Sequence, residues 1–209
     1  MLLVGLTGNI ASGKSEVARM LGQRGAMLID ADTLAREAVR PGTDALKRIV
    51  DRWGKDVLAT DGTLDREALR RIVFSDTVEL EKLNSIVHPE VTRLRDIEVE
   101  RARKRGDRIV VCVIPLLFER GLVNDFDYIV LVDAPRAVRL ERLSTARGLE
   151  ETDAMNMIAS QMPAELKRAR ADYVIENVGS LEDLNRDVDR LWATLTKKTS
   201  GSARTAKVS

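Results

Sequence analysis

The run LTGNIASGKSEV, residues 6–17, constrains the chain more than any other stretch. It places G-x-x-x-x-G-K-S, from Gly8 to Ser15, between the apolar LLVGL and a segment that aligns Val17, Met20 and Leu21 on one helical face. Strand, tight turn and helix in that order turn successive backbone amides around an anion, and the helix N-terminus adds its positive end. Gly8 and Gly13 hold the two fixed glycine positions, where close approach or unusual dihedrals exclude most side chains. Asn9 visits the left-handed region at modest cost and Ala11 adds one methyl group, so both are tolerable in such a loop. The pattern predicts Lys14 reaching the β and γ phosphates of a nucleotide and the Ser15 hydroxyl on a magnesium ion.

The remaining chain supplies a sheet for that loop. AMLIDAD after Gly25, RIVVCVIP (108–115), YIVLVDAP (128–135) and DYVIEN near 173 are short apolar runs separated by helical patterns. Continuous β-branched runs suit parallel strands covered on both faces, which predicts an α/β doubly wound sheet. Cys112 falls inside one of these runs and reads as a core thiol. Residues 33–107 read as almost wholly helical, too long for a simple crossover, and predict an inserted helical lobe. There Leu80, Leu83, Val87, Val91 and Leu94 form one stripe, which Pro89 either kinks or divides into two helices. Residues 144–172 read as a helical lid, and 196–209, with four basic residues and no acid, as a disordered tail outside a single domain of 1–195.

Charge excludes several partners. The 209 residues carry 34 Lys plus Arg against 33 Asp plus Glu, a net +1, so no overall field draws the chain to nucleic acid or an anionic membrane. RARKRGDR (101–108) continues a helix bearing Asp96, Glu98 and Glu100, and aromatic residues are only 3%, too few for base-stacking platforms. No apolar run reaches membrane-spanning length and residues 1–6 show no basic leader, so the chain is expected in the cytoplasm.

The nucleotide class narrows further. No D-x-x-G follows a strand and N-K-x-D is absent, which argues against a GTPase. The third strand ends in VIPLLFE, with Pro115 where a motor ATPase would carry a magnesium-binding Asp. The acidic candidates instead close the second strand, Asp30 and Asp32, where they are expected to face the loop. A small-molecule kinase needs such a carboxylate to orient the attacking hydroxyl, although Asp32 also suits a helix N-cap before TLAREAV.

Together, VGLTGNIASGKSEVA, IDADTLAREAV, DGTLDREALRRIVFSD, LNSIVHPEV, VVCVIPLLFERGL, DYIVLVDAP and QMPAELKRARADYVIENVGSLEDL resemble the dephospho-CoA kinase family over most of residues 3–184. The resemblance implies a phosphate-loop kinase fold and transfer of the ATP γ-phosphoryl group to the ribose 3′-hydroxyl of dephospho-CoA, with Mg2+ required. It implies Asp32 as the catalytic aspartate, with Arg36, His88 and Pro89 in the acceptor lobe. Gly8, Asn9 and the amides of Ala11, Ser12, Gly13, Lys14, Ser15 and Glu16 would hold the ATP phosphates. Pro115, Leu116, Leu117 and Glu119 would floor the space between substrates, and Asn177 would lie near the adenine. Arg142 and Arg147 would cover the transferring phosphoryl group, although Arg142 alone also suits a pair with acids on a solvated face. His88 reads as a helix-start or hydrogen-bonding residue of the lobe rather than a proton shuttle. Family members commonly have glycine at Asn9 and Ala11 and a basic residue near Met157, which leaves one lid contact in doubt. The expected assembly is a monomer or small homo-oligomer. The alternatives are another phosphate-loop kinase, acting on a nucleoside monophosphate or small metabolite, and a regulatory protein that binds ATP without transfer.

Overall fold

The structure, a computed structural model, describes residues 1–73 and 76–205, with 146, 147 and 201–205 described by their backbone alone. Along the chain, β1 (Leu2–Gly8), α1 (Lys14–Gln23) and β2 (Met27–Asp30) are followed by α2 (Ala31–Glu37), α3 (Asp44–Trp53), α4 (Arg66–Val73) and α5 (Thr77–Arg105). Then come β3 (Ile109–Val113), β4 (Tyr128–Asp133), α6 (Arg136–Arg147), α7 (Glu151–Ala159), α8 (Ala164–Arg168), β5 (Tyr173–Glu176) and α9 (Leu181–Thr205). The chain divides into two compact units, Met1–Ile29 with Ala102–Ser209, and Asp30–Arg101.

In the first unit the strands lie in the order β2-β3-β1-β4-β5. β1 runs parallel to β3, with Val4 opposite Val111, and to β4, with Val4 opposite Tyr128; β4 runs parallel to β5. Every residue of β3 and β4 is buried, as their unbroken apolar runs require of strands covered on both faces. Cys112 lies buried within β3. Val17 and Leu21 of α1 and Val188, Leu191 and Leu195 of α9 join Val4, Val111, Val130 and Ile175 of the strands in one core cluster. The chain leaves central β1 toward β2 and β3 and later returns to its other side, so the carboxyl end of β1 is the topological switch point where such sheets bind ligands.

The tail is a correction. α9 continues to Thr205, past Thr196, where the sequence suggested that order ends; residues 206–209 lie outside the described residues. Side-chain anchors hold the extension: Arg108 Nη2 donates to Thr199 and Ser200 hydroxyls at 3.1 and 3.3 Å, and Lys198 Nζ sits 4.6 Å above the Tyr128 ring. Composition alone gave no sign of these long-range partners.

The second unit begins and ends a little before the expected 33–107. Thr43 caps α3 by accepting from Leu46 N, and Glu79 accepts from Trp53 Nε1 at 2.7 Å while pairing with Arg52, which ties α3 to α5. It is not wholly helical: Leu58 and Leu64 form an antiparallel bridge around the Asp61–Thr63 turn, where Asp61 accepts from Thr63 N and Oγ1. α5 is a single helix with Pro89 inside it, which excludes a second helix starting there. Its buried residues here are Ile86, Val91 and Val99, while Leu80 is exposed, so the stripe read from sequence is only partly the core face. RARKRGDR is a solvated helix end, with Arg101 on Glu98 and Arg105 on Asp107.

Candidate active site

β1 ends at Gly8 and α1 begins at Lys14, so Asn9–Gly13 form the loop at the switch point. A Cβ on Gly8 would stand 2.5 Å from the Val132 carbonyl oxygen and 2.6 Å from Ser12 Oγ. Gly13, at φ 94°, would drive a Cβ to 2.1 Å from Asn177 Nδ2. Both glycines are therefore fixed by neighbours on other elements as well as by the loop's turn. The left-handed residue between them is Ala11, at φ 59°, and not Asn9. Ala11 and Ile10 pack on the apolar cluster of Leu143, Ala154 and Ile158 from α6 and α7, which gives the Ala11 methyl a use that glycine lacks. Asn9 is buried at 4% exposure and its Nδ2 donates to the Met162 carbonyl at 3.5 Å, so its side chain serves the scaffold.

The amides divide into two groups. Ser12 N donates to Asn9 O at 3.1 Å and Glu16 N to Gly13 O at 3.0 Å. Ile10 N donates to Gln161 Oε1 at 2.7 Å. Among the described residues, the amides of Ala11 and Gly13, and of Ser15 in the first turn of α1, make none of these loop hydrogen bonds. Lys14 is half-buried at the first helical position and Ser15 is exposed beside it. The Glu16 carboxylate pairs with Arg19, whose hydrogen bonds hold it below the usual carboxylate range.

Behind the loop, Arg142 departs from the reading that pairs it with acids on a solvated face. Its Nη1 donates to the carbonyls of Ala11 at 3.2 Å and Ser12 at 3.5 Å, and its Nη2 to Asn177 O at 3.0 Å. The guanidinium thus meets backbone carbonyls and not a solvated acid. Asn177 Nδ2 donates to Ser12 O at 2.8 Å, so its buried side chain builds the loop. Arg147 ends α6, and its side chain lies outside the described residues.

Sequence reasoning passed over the carboxylate that ends β4. Asp133 is 5% exposed, accepts from Ala134 N at 2.8 Å, and takes Arg168 Nε at 2.6 Å, while Arg168 Nη1 reaches Glu176 at 2.7 Å. Hydrogen bonds to Glu176 and then Asp133 raise the Arg168 pKa. Burial pushes the guanidinium of Arg139, 5% exposed and bonded through Nε to Ala134 O, below its ordinary value. These groups knit the ends of β4 and β5 to α6 and α8.

After β3, Thr7 Oγ1 donates to Pro115 O at 3.2 Å, and Ile114 N continues the ladder to Leu6 O. Leu116 is exposed at 43%, but Leu117 is fully buried, and a Cβ on Gly5 would stand 2.6 Å from its Cδ1. Leu117 is therefore a core residue under β1 and not a substrate contact. Glu119 is also engaged: its Oε1 accepts from Met162 N at 3.2 Å and lies 2.7 Å from Lys167 Nζ. Gln161 and Lys167 escaped the sequence reading. QMP entered only as part of a family string, and a lysine on a short charged helix gives no periodic sign of burial.

In the second unit, Asp30 is the N-cap of α2, its Oδ1 accepting from Asp32 N at 2.8 Å and Thr33 N at 3.1 Å. Asp32 is not the cap; it lies exposed in the first turn. The capping alternative therefore passes to Asp30. Arg36 is exposed in the last turn of α2, and His88 lies inside α5, not at a helix start. Met157 is exposed on α7.

A phosphate loop at the switch point of a parallel sheet, with a helical unit inserted after β2, defines a phosphate-loop kinase. The family model for dephospho-CoA kinase (CoaE) matches residues 2–183. The chain belongs to the dephospho-CoA kinase family. It is similar to the dephospho-CoA kinase of Streptomyces avermitilis, 48% identical over 93% of this chain and 94% of the relative, and to that of Thermobifida fusca, 45% identical over 95% and 98%. Its fold matches dephospho-CoA kinase from Campylobacter jejuni with a TM-score of 0.64 at 23% identity, covering 92% of this chain and 96% of that one.

Proposed function

We propose that this chain transfers the γ-phosphoryl group of ATP to the ribose 3′-hydroxyl of dephospho-CoA, giving coenzyme A and ADP in the last step of coenzyme A synthesis. The observation that carries the reading is the loop Asn9–Gly13, with Gly8 and Gly13 fixed by their neighbours, at the carboxyl end of β1 in a chain of this family. The loop amides and the α1 N-terminus bind the phosphates, and Lys14 neutralises charge on the β and γ groups. A magnesium ion fits the exposed Ser15 hydroxyl, because it takes one or two protein oxygens with phosphates and water; Ser15 would hold it, and it would supply neutralisation of the phosphate charge.

Asp32 takes the catalytic role. Its carboxylate, released from capping by Asp30, orients the 3′-hydroxyl and accepts its proton. The ribose oxygen then bonds to the γ-phosphorus as the bond to the β–γ bridging oxygen breaks. Arg36, His88 and Pro89 belong to the lobe that receives dephospho-CoA, Pro115, Leu116 and Glu119 to the floor, and α7 and α8 to a lid that excludes water. Arg142 and Asn177 act on ATP through the loop carbonyls that they hold. Among the described residues no helix is long and apolar enough to cross a membrane, and the reading places the enzyme in the cytoplasm as a monomer or small homo-oligomer, without nucleic acid.

The test is coupled ADP release with purified protein, ATP, Mg2+ and a panel of acceptors. Turnover is expected with dephospho-CoA, with phosphate on the ribose 3′-oxygen by phosphorus NMR. Turnover with nucleoside monophosphates and none with dephospho-CoA would overturn the assignment, and ATP binding without acceptor-dependent transfer would make the chain regulatory.

A further inference from the structure

We propose that Gln161 is a positioning residue for the ATP phosphates, itself fixed by the Glu119–Lys167 ion pair. This rests on the reading that ATP occupies the loop after β1.

Gln161 lies in the short connection between α7 and α8. Its Oε1 accepts from Ile10 N at 2.7 Å, and the adjoining Met162 carbonyl accepts from Asn9 Nδ2 at 3.5 Å. Met162 N donates to Glu119 Oε1 at 3.2 Å, and the same oxygen lies 2.7 Å from Lys167 Nζ. Lys167 is 0% exposed, and its contact is an ion pair rather than a well-aligned hydrogen bond. A continuous polar path therefore runs from a buried ammonium, through one carboxylate, to the first peptide of the phosphate loop.

That peptide is held at both ends. Its carbonyl, on Asn9, accepts from Ser12 N at 3.1 Å, and its N–H, on Ile10, donates to Gln161. Its plane sets where the chain goes next, into Ala11 at φ 59°, a conformation that an L-residue keeps only when its surroundings over-determine it. Arg142 holds the Ala11 carbonyl on the far side. The Ala11 amide, one of those expected to hold phosphate, is thus aimed by Gln161 from one direction and Arg142 from the other.

The residue types fit this role. An amide oxygen at 161 accepts from Ile10 without adding negative charge beside an anionic ligand, which a carboxylate would. A buried ammonium needs a carboxylate, so the exposed Glu119 is drawn to Lys167, where its oxygen also meets Met162 N. With neither present, the 161–162 connection would lose its hold on the loop.

The experiment compares Gln161→Met, which keeps length and loses the acceptor, with Gln161→Glu, Lys167→Met and Lys14→Ala. The readouts are KM for each substrate, kcat and thermal midpoint. Losing one neutral hydrogen bond predicts a rise of about tenfold in KM for ATP in Gln161→Met, with KM for dephospho-CoA unchanged. Its midpoint is expected within about 4 °C of wild type, since one part-buried hydrogen bond is lost. Gln161→Glu should raise KM for ATP and make it more salt-sensitive, because the acceptor is kept but charge is added. Lys167→Met should lower the midpoint and raise KM for ATP in the same direction. An unchanged KM for ATP in Gln161→Met would overturn the proposal, as would equal rises in both KM values with a lowered midpoint. Unaltered kinetics in Lys14→Ala would instead sink the placement of ATP on the loop.

Discussion

Asn177 and Gly13 occupy each other's space: a Cβ on Gly13 would stand 2.1 Å from Asn177 Nδ2, which donates to the neighbouring Ser12 carbonyl at 2.8 Å. The second fixed glycine of the motif therefore answers to a residue more than 160 positions away as well as to its own φ of 94°. The phosphate loop is assembled by β5 and α6 as much as by β1 and α1.

Gly13→Ala should cost stability and ATP binding together. A non-glycine residue forced into this region, with a contact to relieve, costs about 1–3 kcal/mol. Chemical denaturation and calorimetric titration with a non-hydrolysable ATP analogue check it. Adding Asn177→Ala should relieve the contact but not the dihedral strain, so full recovery in the double variant would contradict the backbone account.

Arg142→Lys should act on ATP binding more than on the chemical step. A lysine cannot span the carbonyls of Ala11 and Asn177 as the planar fork does, and a factor of about ten in kcat/KM for ATP is expected, carried mainly by KM. Steady-state kinetics with either substrate varied separates the cases. A fall in kcat alone would return Arg142 to the transferring phosphoryl group.

Ala11→Gly should be close to neutral for folding. Relief of left-handed strain, about 1–2 kcal/mol, is set against a lost, partly buried methyl of up to about 0.8 kcal/mol and the extra chain freedom of glycine, about 0.5–1 kcal/mol. Ala11→Val should destabilise by more than about 2 kcal/mol, because a β-branched residue is strained at φ 59° and overfills the cluster on α6 and α7. Urea midpoints of the two variants are the check.

Asp30 and Asp32 should separate cleanly. Asp30→Ala removes the α2 cap and should cost about 1 kcal/mol of stability, seen in denaturant midpoint. Asp32→Asn should leave stability and ATP binding near wild type while kcat collapses by a factor of about 100 or more. An active Asp32→Asn enzyme would remove the general-base role.

What the sequence by itself determined was local or periodic. The order of strands and helices, the position of the loop, and the burial of 109–113 and 128–133 follow from apolar runs and turn residues that act over a few positions. The phosphate motif and the family resemblance are linear strings, so they too could be read directly. Tertiary structure alone decided which groups share a wall of the loop. Leu117 went to the core under Gly5, Asp30 rather than Asp32 took the cap, and Arg142 turned to the loop carbonyls. Gln161 and Lys167 became its anchors, and α9 extended to Thr205. Apart from the local Asp30 cap, the physical reason is common to these: a hydrogen bond or close contact between distant segments is set by how strands pair and helices pack, and no single segment carries that geometry.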